Sequence, residues 1–421
     1  MEYPHRRYSG THDFLIPINM KKALIPLCVL PCLLAACQEE IPMVSLGIDD
    51  AYAIERMKAL TLHPEFQGER YEWYLQDKQG ADSLVSTDRD YTFISASTGV
   101  FQLKLQIIDA VNPLEHHVSI VVWEEEVAYS RYIAKVYEYR PAPGQFVNQL
   151  PQYQEGDTEE NMRQKAEEYI SGTNNRAISL GGYGGYVTFG FDHTVVNVAG
   201  EKDFKILSNA FYGGSGTQPG GSAEPGIVLV SFDRNSNGIP DDEWYELAGS
   251  EYHKPETRHH YTITYHRPAA DHVSTPIPGT AITDSSYIRW DDNDGNTGYI
   301  TRNSFHSQEY FPQWLADEQL TFTGTRLADN AVDESGTGSY YVLNAYDWGY
   351  ADNHPNDAEE KISFDIAWAV DTDGNPVDLP GADFIRVYTG VNQQCGWIGE
   401  ISTEITGAED LHVTDLSATE P

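Results

Sequence analysis

The sequence contains few cysteines and few basic residues. It has 4 cysteines among 421 residues, and 27 lysines and arginines stand against 64 aspartates and glutamates, which gives a formal net charge of −37 at pH 7. A chain this acidic repels nucleic acid and anionic lipid, which argues against binding to a phosphate backbone. Cys395 is the one cysteine far from the N-terminus. The sequence therefore predicts neither an internal disulfide nor a cysteine zinc site.

The sequence also lacks a hydrophobic run long enough to span a bilayer. Residues 23–34 are apolar but contain two prolines and are too short for a membrane-spanning helix. Two lysines precede this run, and Ala35, Ala36 and Cys37 follow it. A basic segment, an apolar segment and small residues before a cysteine are typical of a bacterial lipoprotein signal peptide. We therefore predict that residues 1–36 are an upstream extension and signal peptide, and that Cys37 is acylated.

The residues after Cys37 indicate where such an anchor would be displayed. Glu39 and Glu40 form an acidic pair close to the cysteine. This pair resembles the surface-export signal of lipoproteins in Bacteroidota, which implies the extracellular face of the outer membrane and attachment to the membrane by the lipid alone. The alternative is that the two glutamates are part of a solvated tether.

Residues 37–125 are predicted to form a tether and a small β domain. Residues 99–107 alternate apolar and polar side chains with a period of two, as a half-buried strand does. Residues 118–123 indicate a second strand, and residues 71–74 a third with Trp73 in the core. The order of these segments resembles the PKD branch of immunoglobulin-like sandwiches, which implies a spacer or adhesion module.

Residues 126–177 are predicted to be a linker with one short helix. Asp157 and Glu160 have the spacing of a capping box, with Asp157 as the N-cap. Apolar residues then recur at helical spacing from Met162 to Ile170. The simplest interpretation is a helix packed on the edge of the following domain.

The remainder of the chain reads as short strands separated by glycine and Asp/Asn turns. We predict a larger jelly-roll-like β-sandwich over residues 178–413 and a tail over residues 414–421. The fold class is accordingly mainly β, with two sandwiches and one short helix. The predicted strands of the second sandwich include residues 186–191, 227–232, 261–265, 340–343, 362–366 and 384–388.

Several long strings in this part resemble a known family. They lie at residues 181–193, 203–211, 224–228, 237–247 and 381–390. The chain resembles the PKD-like surface lipoproteins of gut Bacteroidota, over about residues 41–413. The resemblance implies a PKD-like domain followed by a β-sandwich. Some of these proteins resemble products of loci for TonB-dependent uptake, including corrinoid uptake, which implies ligand capture beside a TonB-dependent outer-membrane receptor.

One loop has the spacing of a calcium site. Oxygen-bearing side chains occupy alternate positions around Gly238, which permits a tight bend, and such spacing suits a Ca²⁺ ion that braces the loop. The alternative is an Asx-rich turn that needs no metal. Residues 291–296 and 371–375 are weaker candidates for a calcium loop, and their sequences are also typical of hairpin turns. The predicted metal ligands are Asp233, Asn235, Asn237, Asp241 and Glu243.

Two later segments place aromatic residues among polar ones. Flat aromatic faces beside Asn or Asp side chains suit a sugar ring or the amide rim of a corrin. The alternative is that the aromatic residues belong to the core. The predicted ligand-binding residues are Tyr310, Trp314, Trp348, Tyr350 and Asn353.

The sequence offers little for catalysis. It contains no HExxH zinc motif, no Gly-x-Ser-x-Gly elbow and no phosphate loop. A glycosidase needs two carboxyl groups that face each other across a substrate, whereas Asp241, Asp242 and Glu243 have spacing that serves a cation better. We therefore predict a non-catalytic module that binds a glycan or a corrinoid. The alternatives are a calcium-dependent extracellular glycoside hydrolase and a purely adhesive or structural surface protein.

Overall fold

The computed structural model describes residues 46–109, 113–126, 128–213 and 220–413 of the chain. Strands dominate these residues, which contain a single α-helix. This confirms the prediction of a mainly β protein with several sheets. Within the described ranges, no helix has the length and apolar character needed to cross a membrane.

Seven strands occupy the described chain up to residue 123. They are β1 (Ala51–Glu55), β2 (Leu60–Leu62), β3 (Arg70–Gln76), β4 (Asp82–Ser86), β5 (Tyr91–Phe93), β6 (Gly99–Ile108) and β7 (Leu114–Trp123). Five of them form a sheet in the order β1-β7-β6-β3-β4, in which β1 runs parallel to β7. Strands β2 and β5 pair antiparallel.

The predicted alternation along β6 has its expected consequence. Leu103, Leu105 and Ile107 point into a hydrophobic cluster, while the residues between them are less buried. Trp73 of β3 is fully buried in the same cluster, and its indole N–H donates to the carbonyl of Asp88 at 3.1 Å. The three strands and the core tryptophan predicted here are confirmed. The relation to PKD domains stays a prediction.

The predicted helix is present as α1 (Glu159–Ile170) and buries Met162, Ala166 and Ile170. Its N-cap, however, is Thr158 and not Asp157. The hydroxyl of Thr158 accepts a hydrogen bond from the backbone N–H of Asn161, whose side chain completes the capping box. The carboxylate of Asp157 instead accepts a hydrogen bond from the backbone N–H of Gln154, in the loop before the helix, at 2.7 Å.

Twenty strands follow β7 within the described residues. They are β8 (Lys135–Arg140), β9 (Ile178–Ser179), β10 (Tyr186–Gly190), β11 (Val195–Val196), β12 (Phe204–Ser208), β13 (Phe211–Tyr212), β14 (Gly220–Ser222), β15 (Gly226–Ser231), β16 (Tyr245–Leu247), β17 (Arg258–His266), β18 (Ile282–Asp292), β19 (Thr297–Asn303), β20 (Gln319–Arg326), β21 (Ala331–Asp333), β22 (Tyr341–Asn344), β23 (Ser363–Phe364), β24 (Ala369–Val370), β25 (Gly381–Ala382), β26 (Phe384–Thr389) and β27 (Glu404–Asp410).

These strands are distributed over five sheets. The largest has the order β24-β16-β15-β26-β10-β8, and three four-stranded sheets have the orders β23-β12-β27-β9, β13-β14-β22-β21 and β19-β18-β17-β20. The fifth sheet pairs β11 with β25. One hydrophobic cluster runs through this part and includes the helix. A separate small cluster joins Met57 of the first part to Val196 and Val413 of the second.

One strand predicted from the sequence is shorter than expected. Of residues 362–366, only Ser363 and Phe364 form a strand. The side chain of Asp365 accepts from the backbone N–H of Ala367 at 3.0 Å and caps a 3-10 helical turn, Ile366–Trp368. This local hydrogen bond competes with strand pairing and ends the strand.

Candidate functional site

A cleft of about 260 Å³ lies beside the hairpin that β18 and β19 form. Its lining combines aromatic rings with polar side chains, a mixture that is typical of small-molecule sites. Among the described residues that line it, Glu400 is the only carboxyl group. The aromatic and polar lining residues are Tyr183, Tyr265, Trp290, Tyr299, Asn392, Gln393, Gln394 and Glu400.

Trp290 and Tyr299 are the rings that remain accessible in this cleft. Trp290 is partly buried, and Tyr299 is 44% exposed. Trp290 pairs across the hairpin with Gly298, where a Cβ atom would approach the indole to 2.4 Å. Glycine at this position therefore lets the indole lie against β19. The side chain of Gln394 accepts from the backbone N–H of Thr301 at 3.1 Å, which ties the opposite wall of the cleft to the same strand.

Glu400 is the most unusual polar group of the cleft. Its side chain is buried, one oxygen accepts from the backbone N–H of Gln145, and Oε2 has no hydrogen-bond partner among the described residues. Burial raises the pKa of Glu400 to about 8, against the weaker opposite effect of the Gln145 N–H. The carboxyl group is therefore protonated at neutral pH, so the cleft contains no charged side chain among its described lining residues.

A second cavity, of about 230 Å³, contains a pair of carboxyl groups with opposite pKa shifts. Burial raises the pKa of Glu246 to about 7, although Thr325 donates to it at 2.6 Å. Hydrogen bonds from Asn375 lower the pKa of Asp371. Such pairs occur in hydrolases. Both oxygens of Asp371, however, already accept hydrogen bonds that close its own turn.

The structure buries four of the five residues predicted to bind a ligand. Tyr310, Tyr350 and Asn353 are almost fully buried, and Trp314 is 8% exposed. The ring of Trp314 stacks on Tyr139 with 6.0 Å between centroids. Buried rings of this kind have no free face for a ligand, so the structure favours the core interpretation for these four residues.

Trp348 is the member of this set that stays partly exposed. Its ring centroid lies 4.5 Å from that of Trp368, which also carries the ammonium of Lys202 over its face. Asn353 accepts from the backbone N–H of Tyr346 and donates to its carbonyl, at 2.8 and 2.9 Å, so this amide closes the loop that presents Trp348. Ligand binding by Trp348 stays a prediction.

Four of the five predicted calcium ligands converge in an exposed loop between β15 and β16. The two oxygens of Asp233 accept from the backbone N–H groups of Asn237 and Gly238, at 3.1 and 2.7 Å. The amide groups of Asn235 and Asn237 donate to Asp241. The fifth predicted ligand, Glu243, accepts from the hydroxyl of Tyr245 at 3.0 Å instead.

The hairpin turns at residues 292–296 and 371–375 use the same hydrogen bond. Asp292 accepts from the backbone N–H of Asn296 at 2.7 Å, and Asp371 accepts from that of Asn375 at 2.8 Å. An aspartate therefore accepts from the N–H four residues later both in the loop with the spacing of a calcium site and in turns with weaker calcium-like spacing. The turn geometry alone does not distinguish a metal loop from an Asx turn, and calcium at Asp233 stays a prediction.

Sequence reasoning did not find a cluster of carboxyl groups in the interior of the second part. Glu224, Asp352 and Glu404 each offer a carboxylate oxygen, and the three oxygens lie within 4.8 Å of one another. The three residues come from distant parts of the chain, so no local spacing reveals them. The predicted lipidation site, Cys37, lies outside the described residues.

Comparisons with known proteins add little to this geometry. A scan against protein-family models gives no match, and no curated protein matches significantly. Two solved structures are similar at a low level. The SusE-like protein BT2857 shares 12% identity over 85% of this chain and 94% of its own, with a TM-score of 0.29. A quinonprotein alcohol dehydrogenase-like protein (BT1487) from Bacteroides thetaiotaomicron shares 11% identity over 62% of this chain and 49% of its own, with a TM-score of 0.17. Similarities of this size do not establish a shared fold or function.

Proposed function

We propose that this chain is a lipid-anchored surface protein that captures a neutral, polar small molecule or glycan without chemical conversion. The cleft beside the β18–β19 hairpin carries the proposal. It offers the accessible rings of Trp290 and Tyr299 together with the amide of Asn392, and its carboxyl group, Glu400, is uncharged at neutral pH. Aromatic faces with a few placed donors and acceptors suit a sugar ring or the amide rim of a corrin.

The setting of the cleft also favours a neutral ligand. The chain carries 64 acidic residues against 27 basic ones, which disfavours anions near its surface. A protonated Glu400 leaves the cleft without a charged side chain, which suits an uncharged ligand. The motif that ends at Cys37 supports outer-membrane anchoring, and the PKD-like resemblance supports a TonB-dependent receptor as the partner that receives the ligand.

The second cavity is the observation that favours a glycoside hydrolase as an alternative. Glu246 has the raised pKa of a general acid, and Asp371 has the lowered pKa of a nucleophile or base. The hydrogen bonds that fix Asp371 in its hairpin turn leave its oxygens poorly placed for attack on a substrate. Binding without turnover is therefore the better supported function.

We also propose that the loop from Asp233 to Asp241 binds a calcium ion that braces the connection between β15 and β16. The loop supplies carboxylate and amide oxygens, which are the ligands that calcium prefers. Its position at the surface suits a structural ion. No residue of this loop lines the cleft, so the ion would not contact a captured molecule.

The proposed binding role predicts a specific loss when Tyr299 is truncated. Tyr299→Ala should weaken binding of the ligand by about tenfold or more, because aromatic contacts commonly contribute over about 1.4 kcal/mol at binding sites. The measurement is calorimetric titration of the purified chain with a panel of neutral glycans and with cobalamin, in parallel with an assay for product release.

Tyr340→Ala is the matched control, because Tyr340 is 50% exposed and does not line the cleft. Both variants should melt near the wild-type temperature. If Tyr299→Ala binds as tightly as Tyr340→Ala, or if no member of the panel binds the wild type, the cleft is not the capture site. Product release would instead support the hydrolase.

A further inference from the structure

The cluster of Glu224, Asp352 and Glu404 is held in place by the backbone around it. The backbone N–H of Glu224 donates to the carbonyl of Asp352 at 2.8 Å, and the backbone N–H of Glu404 donates to Oδ2 of Asp352 at the same distance. The hydroxyl of Thr403 donates to the carbonyl of Glu224 at 2.8 Å. Three distant chain segments therefore meet at a rigid point.

This point is buried and contains three carboxyl groups without a cationic partner among the described residues. Asp352 and Glu404 are each 2% exposed, and Glu224 is partly buried. Burial raises the pKa of Glu224 well above its usual value, and the neighbouring carboxyl groups of Glu404 and Asp352 raise it further. No cationic side chain of the described residues is within ion-pair distance of the cluster. A buried carboxyl group without a partner of opposite charge takes up a proton, and a bound divalent cation would replace such protons.

One oxygen of the cluster has no hydrogen-bond partner at all. Oδ2 of Asp352 accepts from the Glu404 N–H, but Oδ1 is buried and unpartnered within the described residues. By contrast, Glu404 is hydrogen-bonded by the hydroxyl of Ser402 at 2.6 Å. Buried polar atoms in native proteins nearly always have a partner, so an orphaned carboxylate oxygen points to a ligand that completes the site.

We infer that Glu224, Asp352 and Glu404 form a buried binding site for a hard divalent cation. The three oxygens lie within 4.8 Å of one another, and two oxygens bound to one Ca²⁺ ion at about 2.3–2.6 Å are at most about 5.2 Å apart. Carboxylate oxygens without histidine or cysteine favour Ca²⁺, Mg²⁺ or Mn²⁺ over zinc. This site is separate from the exposed Asp233 loop.

The cation would join three chain segments, one of which also carries Glu400 and Ile401 of the cleft. Glu224 precedes β15, Asp352 lies in the loop after β22, and Glu404 begins β27. Glu400 of the cleft lies four residues before Glu404 on the same segment. An ion that cross-links these segments would fix the wall on which Glu400 stands, but its binding does not depend on what the cleft captures.

The experiment measures metal content and melting temperature of the purified full chain. The protein is treated with EDTA, desalted, and titrated separately with CaCl₂, MgCl₂ and MnCl₂. In the Asp233→Asn variant, which removes the exposed candidate, we expect one ion per chain and a rise in melting temperature on its addition. When Asp352→Asn is added to Asp233→Asn, the cation affinity of the buried site should fall by about tenfold or more.

Asp352→Asn is chosen because it should fold. Asp352 has a backbone φ of 51°, a left-handed conformation that asparagine tolerates well, and the amide oxygen can still accept from the Glu404 N–H. Glu404→Gln is the second variant and should lose the same ion. The inference is overturned if Asp233→Asn binds no ion and its melting temperature does not respond to any of the three cations. It is equally overturned if adding Asp352→Asn or Glu404→Gln to the Asp233→Asn variant leaves the affinity for the ion unchanged.

Discussion

At the scale of single residues, Glu400 shows how burial changes the chemistry of a carboxyl group. It is 3% exposed, and no cation of the described residues pairs with it. The folded chain therefore retains its proton well above the pH at which an exposed glutamate ionises. The result is an uncharged carboxyl group beside the cleft, where the residue type alone would suggest a negative charge.

This proton makes stability depend on pH in a defined direction. The pKa of Glu400 is about 8 in the folded chain and about 4.5 when unfolded. The contribution of Glu400 to the free energy of unfolding is therefore largest below about pH 4.5, and it is lost as the pH rises from there to about 8. Glu400→Gln removes the titrating group, so its unfolding free energy should decline less between pH 5 and pH 8, by a few kcal/mol at about 1.4 kcal/mol per tenfold change in proton affinity.

Denaturant unfolding at a series of pH values measures this difference. Glu246→Gln is a useful comparison, because the pKa of Glu246 is raised only to about 7 and its titration should end at lower pH. Parallel stability curves for the wild type and Glu400→Gln would show that Glu400 ionises normally in the folded chain.

At the scale of secondary-structure elements, turns with an initial aspartate separate the strands of the second part. Asp233, Asp292 and Asp371 each accept a backbone N–H four residues later. The turn at Asp292 connects β18 to its partner β19, and the turn at Asp371 closes an isolated bridge between Val370 and Pro376. The loop at Asp233 differs because additional amide side chains converge on Asp241, which is why we assign calcium to it and not to the other two.

A chelator experiment tests that assignment. Because the buried site would also respond to EDTA, the test is made in the Asp352→Asn background. There, EDTA should lower the melting temperature, and adding Asp233→Ala should remove most of that shift. A ligand present at a hundred times its Kd stabilises by about 2.7 kcal/mol, which sets the expected size.

Asp371→Ala is the matched control for this experiment, since it breaks the same kind of turn at a site where we expect no ion. The Asp371→Ala protein should melt at a lower temperature but keep the full shift on chelation. If EDTA lowers the melting temperature equally with and without Asp233, the ion binds elsewhere. If EDTA does not change the melting temperature of the Asp352→Asn protein, the loop binds no calcium.

At the scale of the whole molecule, the described residues 46–413 follow an N-terminal segment with the features of a lipoprotein signal. The described residues belong to one compact unit, Ser45–Pro421, with its own hydrophobic clusters. Attachment by a lipid at Cys37 would tether this unit without contributing to its core. Anchoring and folding should therefore be separable.

Cys37→Ser tests this separation. Without the thiol there is no site for acylation, so most of the protein should move from the membrane fraction to the soluble fraction. The melting temperature of the released protein should match that of the detergent-solubilised wild type, because Cys37 precedes the compact unit. Persistent palmitate labelling and membrane partitioning of the variant would contradict the lipoprotein assignment.

Several elements could be predicted from the sequence because their signals are local. The alternation in residues 99–107 became β6, and the helical spacing from Met162 to Ile170 became the buried face of α1. The N-cap was assigned one residue too early. Thr158 and Asp157 are both good caps, and the choice between them depended on contacts that Asp157 makes with the preceding loop.

The sequence by itself determined the mainly β fold and the acidic charge, and it supplies the prediction of an N-terminal signal, because period-two patterns, composition and short motifs are properties of neighbouring residues. Only the tertiary structure decided that Trp314 and Tyr350 are buried, whereas Trp290 and Tyr299 line a cleft. Only the tertiary structure brought Asp352 to Glu404. An aromatic or acidic residue has the same local pattern on a surface and in a core, and its role depends on which distant segments pack against it.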